Sequence, residues 1–279
     1  MIRFHAAVAG AFALSSVAVL AQSIPATTTS GWTVDRTPTD SFTSTTVGGQ
    51  TALQLGVSSA EAQPTTTFDA TQGYKYQVNP SQVQGAWAVS GDLYVTSAML
   101  AGTAGPLGAE LWGSTGYGPG TQNGYYIMQF LSGASGNNNG AITAVPSATS
   151  EMAIWNEVTA SWDYVSDTGI KADAYNSFDI SANPDGTVNY YLNGVDIFTE
   201  TGLNVNDVDL GQLEFVRLDD YNFYDQGAMP ATGSYTTAWS DLAATETAVP
   251  DAWSTFAGMT ICFGSLLILK RVRFARVSA

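Results

Sequence analysis

The chain has 279 residues, with 9 Lys and Arg against 24 Asp and Glu and a formal net charge of −15. So acidic a surface repels phosphate backbones, which excludes nucleic acid as a partner. With 45% hydrophobic and 11% aromatic residues, full disorder is excluded as well. Between Gln22 and Pro250 the only basic residues are Arg36, Lys75, Lys171 and Arg217. The other cations sit at the two ends.

Met1-Ile-Arg3 is followed by an apolar run from Phe4 to Leu20, then by Ala21 and polar Gln22-Ser23. One positive charge, an apolar stretch and small residues describe a secretory signal peptide over 1–21. Val19 and Ala21 stand at −3 and −1 of a cut after Ala21. No cysteine follows the run to accept a lipid.

The expected domain, 22–244, has no cysteine and no histidine, since Cys262 and His5 lie outside it. Disulfide stapling, His-based zinc sites and Ser-His-Asp or Cys-His catalysis are therefore excluded there. Its strand signals are short alternating runs bounded by Gly, Asn, Pro and Asp. Trp87 to Met99 reads as two runs broken at Ser90-Gly91-Asp92, or as one strand bulged there. Along Tyr125 to Phe130, Tyr126, Met128 and Phe130 share one face, and Tyr125, Ile127 and Gln129 the other. Gly133 to Gly140 is a loop. From Phe178 to Phe198, alternation is interrupted by Asn183-Pro-Asp-Gly186 and by Asn193-Gly194, a pair suited to a type I′ hairpin. Further strands fit Gln212 to Leu218 and Ser234 to Leu242. No window of a dozen body residues shows a capped helical period. Consecutive antiparallel strands without helices predict an all-β, two-sheet antiparallel sandwich of jelly-roll type.

The run Phe178-Asp-Ile-Ser-Ala-Asn-Pro-Asp-Gly-Thr-Val-Asn-Tyr-Tyr-Leu-Asn-Gly-Val195 resembles the hairpin of concanavalin A-like lectin/glucanase and laminin G-like domains. Gly211-Gln-Leu-Glu-Phe-Val-Arg217 and Ala238-Trp-Ser-Asp-Leu242 are similar to the closing strands of that group. Gly31-Trp-Thr-Val-Asp-Arg36 and Ala70-Thr-Gln-Gly-Tyr-Lys-Tyr76 are similar to segments of its exported bacterial members. The resemblance implies stacked antiparallel sheets with a concave face, often used to hold glycans.

The tail, 245–279, carries Val249-Pro250-Asp251, Ser254-Thr255, and an uncharged run of 17 residues from Trp253 to Leu269. As a helix that run spans roughly 25 Å, just short of a ~30 Å hydrocarbon layer. Lys270, Arg271, Arg273 and Arg276 behind it would stay cytoplasmic. The expected form is a single transmembrane helix. The pattern resembles the PEP-CTERM sorting signals in their Val-Pro-Asp variant, departing from them at Trp253, Thr260 and Cys262. It implies recognition by an exosortase, a membrane protease with a cysteine nucleophile. Anchoring in the inner membrane would then be transient, before release to the cell surface or extracellular matrix. A plain single-span anchor is the alternative.

Three constellations carry chemistry. Retaining glycoside hydrolysis needs two carboxylates about 5–5.5 Å apart. Residues i and i+2 of a strand, roughly 6.5–7 Å apart, would suit. The resembled glucanases use Glu-x-Asp-x-x-Glu, which this chain lacks. Glu151 and Glu157 are too far apart along a strand, and Asp207 and Asp209 lie in a loop-like run. For calcium, Asp219, Asp220, Asn222 and Asp225, with Asp241, gather the oxygen ligands a hard cation needs. For sugar stacking, Trp112, Tyr117, Tyr125, Trp155, Trp162 and Tyr164 lie in Gly-, Asn- and Asp-rich segments. Sandwich core is the competing use of these rings. The expectation is a non-catalytic surface or matrix protein that binds extracellular polysaccharide. The alternatives are a divergent glycoside hydrolase or lyase, and a purely structural adhesion protein.

Overall fold

The computed structural model describes residues 21–58, 71–79, 86–102, 107–115, 124–132, 151–165, 169–203, 212–221 and 234–246. The expected leader before Ala21, the expected sorting motif and helix from Val249 to Arg276, the expected Gly133–Gly140 loop, Tyr117, Asp207, Asp209, Asn222 and Asp225 lie outside them. Among the described residues no helix is long and apolar enough to cross a membrane.

In chain order the elements are β1 (Ala21–Ser23), β2 (Trp32–Val34), β3 (Ser41–Val47), β4 (Gln50–Ser58), β5 (Thr71–Gln77), β6 (Trp87–Val95), α1 (Ser97–Leu100), β7 (Leu107–Thr115), β8 (Tyr125–Ser132), β9 (Glu151–Asn156), β10 (Ser161–Val165), β11 (Ala174–Ala182), β12 (Val188–Leu192), β13 (Val195–Glu200), β14 (Leu213–Tyr221) and β15 (Ser234–Glu246). They form two antiparallel sheets. One is eight-stranded, in the order β13-β12-β11-β6-β15-β4-β3, with β1 also on β15. The other is seven-stranded, β10-β9-β8-β7-β14-β5-β2. The all-β sandwich read from the alternation is the architecture found.

Turn chemistry sets the register of the β11–β12–β13 meander. Asn193 and Gly194 both have positive φ, 52° and 77°, as a type I′ turn requires. Gly186 closes the preceding turn at φ 83°. Phe178 pairs with Leu192, and Ile180 with Tyr190. These apolar residues point inward, while Asp179, Ser181 and Tyr191 point out.

Trp87 to Val95 is one unbroken strand, not two runs, and its pairing with β11 is regular throughout. The irregularity predicted at Ser90–Asp92 lies instead on the partner β15, between Ser240 and Ala243. Gly91 accommodates it, because a Cβ there would stand 2.5 Å from Leu242 Cδ2. A glycine inside a strand therefore marked a bulge in its neighbour.

The main core lies between the sheets, where Trp87 meets Tyr126 edge-on at 5.4 Å and Phe178 meets Trp239 at 5.3 Å. Met128 and Phe130 extend it along β8. β7 is buried at every position, and β8 at all but Tyr125. Their second faces, turned away from the main core, are therefore covered too. That second face holds Glu110, Trp112 and Ser114 of β7 with Tyr125, Ile127 and Gln129 of β8.

Candidate functional site on the outer face of the seven-stranded sheet

Strand pairing lays these residues out in two rows. In the first, Gly73 of β5 is opposite Asp219 of β14, Asp219 is opposite Glu110 of β7, Glu110 is opposite Gln129 of β8, and Gln129 is opposite Ala153 of β9. In the second, Thr33 of β2 pairs with Lys75, Lys75 with Arg217, Arg217 with Trp112, and Trp112 with Ile127. At the far edge Trp155 of β9 pairs with Trp162 of β10.

Glu110 is the centre of the first row. Trp112 Nε1 donates to its Oε2 at 2.7 Å, and Gln129 Nε2 donates to its Oε1. Two fixed donors suit a carboxylate, which only accepts. Gln129 is fully buried, and its Oε1 has no hydrogen-bond partner among the described residues, leaving an open acceptor beside the pair. Directly opposed residues on antiparallel strands have Cβ atoms about 4.5–5.5 Å apart. Glu110 and Asp219, 1% and 0% exposed, are thus acidic residues directly opposed on adjacent strands of one enclosed surface.

The second row is cationic and aromatic. Arg217 Nη1 donates to Asp35 Oδ1 at 2.6 Å and to Oδ2 at 2.7 Å, and its Nε donates to Ser114 Oγ at 3.2 Å. Lys75 Nζ lies 3.2 Å from Asp35 Oδ1, and Arg36 Nε 3.8 Å from Oδ2. Arg36 also sits over the Trp112 ring at 4.8 Å, and Arg217 lies 5.6 Å from Trp112 and 5.5 Å from Tyr125. Three of the four basic residues between Gln22 and Pro250 therefore meet on this face. Only Lys171 is elsewhere.

Of the sugar-stacking candidates, Trp112, Tyr125, Trp155 and Trp162 form one cluster with Ile127. Trp112 meets Tyr125 at 6.0 Å, and Trp155 meets Trp162 at 5.6 Å, both edge to face. Tyr164, opposite Ala153, lies on the same side. Trp112 is fully buried beneath the two guanidinium groups, so its role is to orient Glu110 and support the arginines. The half-buried rings of Tyr125, Trp162 and Tyr164 are those a sugar could meet.

Of the calcium candidates, the three that are described, Asp219, Asp220 and Asp241, do not share one face. Asp219 and Asp220 are successive residues of one strand and point to opposite faces. Asp220 turns between the sheets, where both its oxygens accept from Thr237 Oγ1 at 2.9 Å. Burial first, and then the Asp219 charge, push its carboxyl well above the usual range. Asp241 belongs to the bulge of β15 in the other sheet. Among the described residues no three His, Cys, Asp or Glu side chains gather as a metal site.

A second carboxyl pair ties the sheets together at the β9–β10 turn. Glu200, the last residue of β13, accepts from the Val158 N–H at 3.0 Å and from Tyr190 Oη at 3.4 Å. Glu157 accepts from the Tyr125 N–H. Burial pushes Glu200 up to about 7, and the Val158 and Glu157 N–H groups offset only part of that rise. Unfolded, a glutamate titrates near ~4.3. The folded state thus holds the proton more tightly, so this contribution is complete below the unfolded value. It is lost as pH rises toward about 7. Glu200→Gln keeps the shape and cannot ionise. It is expected to raise the melting temperature at pH 8 by several degrees and leave it nearly unchanged at pH 4, as read by calorimetry. A variant whose melting temperature falls as steeply as the wild type's between those pH values would remove Glu200 as the cause. Asp179, raised by burial to about 6, supplies a smaller fall of the same sign.

No protein-family model matches the chain, and no curated protein is similar to it. Solved structures of related shape exist. An alginate lyase from Chlorella virus aligns with TM-score 0.47 at 11% identity, over 78% of this chain and 93% of its own. An endo-β-1,4-glucuronan lyase from Trichoderma reesei aligns with TM-score 0.44 at 12% identity, over 79% and 93%. A Bacillus licheniformis β-glucanase aligns with TM-score 0.43 at 10% identity, over 84% and 100%. All three carry enzyme names, against the expectation of a non-catalytic module, and a likeness of this degree is one of outline alone. That expectation follows from two absences, of histidine from the body and of Glu-x-Asp-x-x-Glu. The motif counts carboxylates along one strand, and Glu110 and Asp219 stand on two.

Proposed function

We propose that the protein acts on a polysaccharide at the outer face of the seven-stranded sheet, as a divergent glycoside hydrolase. The observation that carries the reading is the cross-strand pair of Glu110 and Asp219 beneath a rim of Arg36, Lys75, Arg217, Tyr125 and Trp162. Two adjacent carboxyl groups are what retaining glycoside cleavage requires. Glu110, oriented by Trp112 and Gln129, is the nucleophile. Asp219 gives a proton to the leaving oxygen, then takes one from the water that frees the sugar. The pair is enclosed in this structure, so a chain first meets the half-exposed rim. Arg36 and Lys75, whose side chains stay partly exposed beside Asp35, offer positive charge to a carboxylate-bearing glycan on an acidic body. β-Elimination on a uronate polymer is the second reading, favoured by Arg217 and Lys75 as partners for the uronate carboxylate. The leader and tail motifs add delivery through an exosortase to the cell surface or matrix.

The test incubates the protein with a panel of neutral and uronate polysaccharides. New reducing ends mark cleavage, and ultraviolet absorbance marks the unsaturated ends of elimination. The expected result is cleavage, stronger on uronate polymers at low salt. Binding without product would remove the catalytic reading, and neither binding nor product would remove the site.

A further inference from the structure

Every open sheet has edges, and an edge strand offers unpaired N–H and C=O groups to any other chain. Among the described residues the two sheets end in β13, β3, β10 and β2. Three of these carry the usual protection. β13 contains Asp196 and Glu200, and β10 contains Asp163. β2 is three residues long and runs straight into Asp35 and Arg36. β3, Ser-Phe-Thr-Ser-Thr-Thr-Val, has seven residues, no charge and no proline. Its register with β4 is unbroken from Ser41–Gly56 to Val47–Gln50, so no bulge twists it away. Four of its seven residues are exposed, and none is buried.

The strand is also ordered in advance. Phe42 stacks on Tyr74 with ring centroids 3.9 Å apart, Ser44 Oγ donates to Thr27 O at 2.7 Å, and Tyr175 Oη donates to Val47 O at 2.9 Å. A partner would not have to order it on binding. Charge selects the partner. In a chain with 24 acids, no charged residue occurs from Ser41 to Ala60. Two acidic copies repel each other, and among the four described edges β3 is the long one that adds no charge to that repulsion.

We infer that β3 is a dimerisation edge, pairing antiparallel with β3 of a second copy about a two-fold axis at Ser44. In that register Ser44 faces Ser44, Thr43 faces Thr45, Phe42 faces Thr46 and Ser41 faces Val47. The nearest acid, Asp40, faces the partner's Gly48, so no like charges oppose each other. The contact is isologous and closed, which leaves no growing filament. It joins the two eight-stranded sheets into one.

The test is the oligomeric state of the protein by sedimentation velocity across a concentration series. The wild type is expected to be a dimer in the micromolar range. Thr43→Asp with Thr45→Asp opposes acids across the seam, and dimerisation should weaken at least tenfold. Thr43→Lys with Thr45→Asp opposes unlike charges in the same register, and should keep the dimer. Ser44→Cys in a Cys262→Ser background leaves a single thiol at the axis, and should give a disulfide-linked dimer under mild oxidation. This readout does not depend on how the charged variants fold. A wild type that stays monomeric throughout, a dimer indifferent to the paired acids, or a Ser44→Cys protein that does not cross-link would each overturn the proposal. None of these results bears on the glycan site, which lies on the other sheet.

Discussion

Glu110→Gln removes the nucleophile and is expected to lower polysaccharide turnover at least as far as the loss of a positioned acid–base group does, roughly 10²–10⁴-fold. The fold should be unaffected. A glutamine at 110 can still accept from Trp112 Nε1 through its carbonyl oxygen. Its amide can donate to Gln129 Oε1, the atom without a partner among the described residues. The melting temperature should therefore move little while product formation collapses. Asp219→Asn is expected to show the same split. A substrate with an activated leaving group separates the two, because it no longer needs a proton. It should rescue formation of the glycosyl intermediate in Asp219→Asn and not in Glu110→Gln. Unchanged turnover in either variant, measured on a substrate the wild type cleaves, would remove that residue from the chemistry.

How this site relates to the sequence depends on which residues are followed. The β11–β12–β13 meander was legible because its turns have only one good chemistry, Asn193-Gly194 at positive φ, and its alternation is clean. Trp112, Tyr125, Trp155 and Trp162 were picked out as rings in polar segments, and they converge because their strands are neighbours in one sheet. The carboxyl pair is invisible to spacing along any single strand. Glu110-Leu-Trp112-Gly-Ser-Thr115 holds a single carboxylate. Asp219 is set opposite it by β14, through a register that no local pattern encodes. The cationic rim had a signal that went unused: three of four basic residues in an acidic body are rarely idle. Within the calcium cluster, a strand of period two cannot aim Asp219 and Asp220 at one ion, and Asn222 and Asp225 lie outside the described residues. Of the two readings at Gly91, one strand with a bulge is near the structure, and the bulge falls on β15 because the side chain that fills the missing Cβ, Leu242, is remote in sequence.

Gly73→Ala is expected to destabilise the protein by upwards of about 3 kcal/mol, at or beyond the upper end of what overpacking costs. A Cβ at Gly73 would stand 2.1 Å from Leu218 O, 2.3 Å from Asp219 Oδ1 and 2.7 Å from Asp219 Cα. Two of those atoms are backbone of the adjacent strand, so no side-chain rotation relieves the contact. On its other side Gly73 is held by two hydrogen bonds, from the Asp35 N–H to its carbonyl and from its own N–H to Thr37 O, both 3.0 Å. Any shift of β5 therefore moves Asp219 on one flank and Asp35, with its three cations, on the other. Loss of stability should come with loss of activity. The way to separate the two effects is to compare Gly73→Ala with Gly113→Ala. The latter meets only side chains, Trp87 at 2.8 Å and Val89 at 3.4 Å, on the core side of the same sheet. Denaturant titration should show both variants weakened, with Gly73→Ala the lower. At temperatures where both remain folded, only Gly73→Ala should lose turnover. Equal turnover in the two would mean that the missing side chain at residue 73 serves packing alone and does not position Asp219.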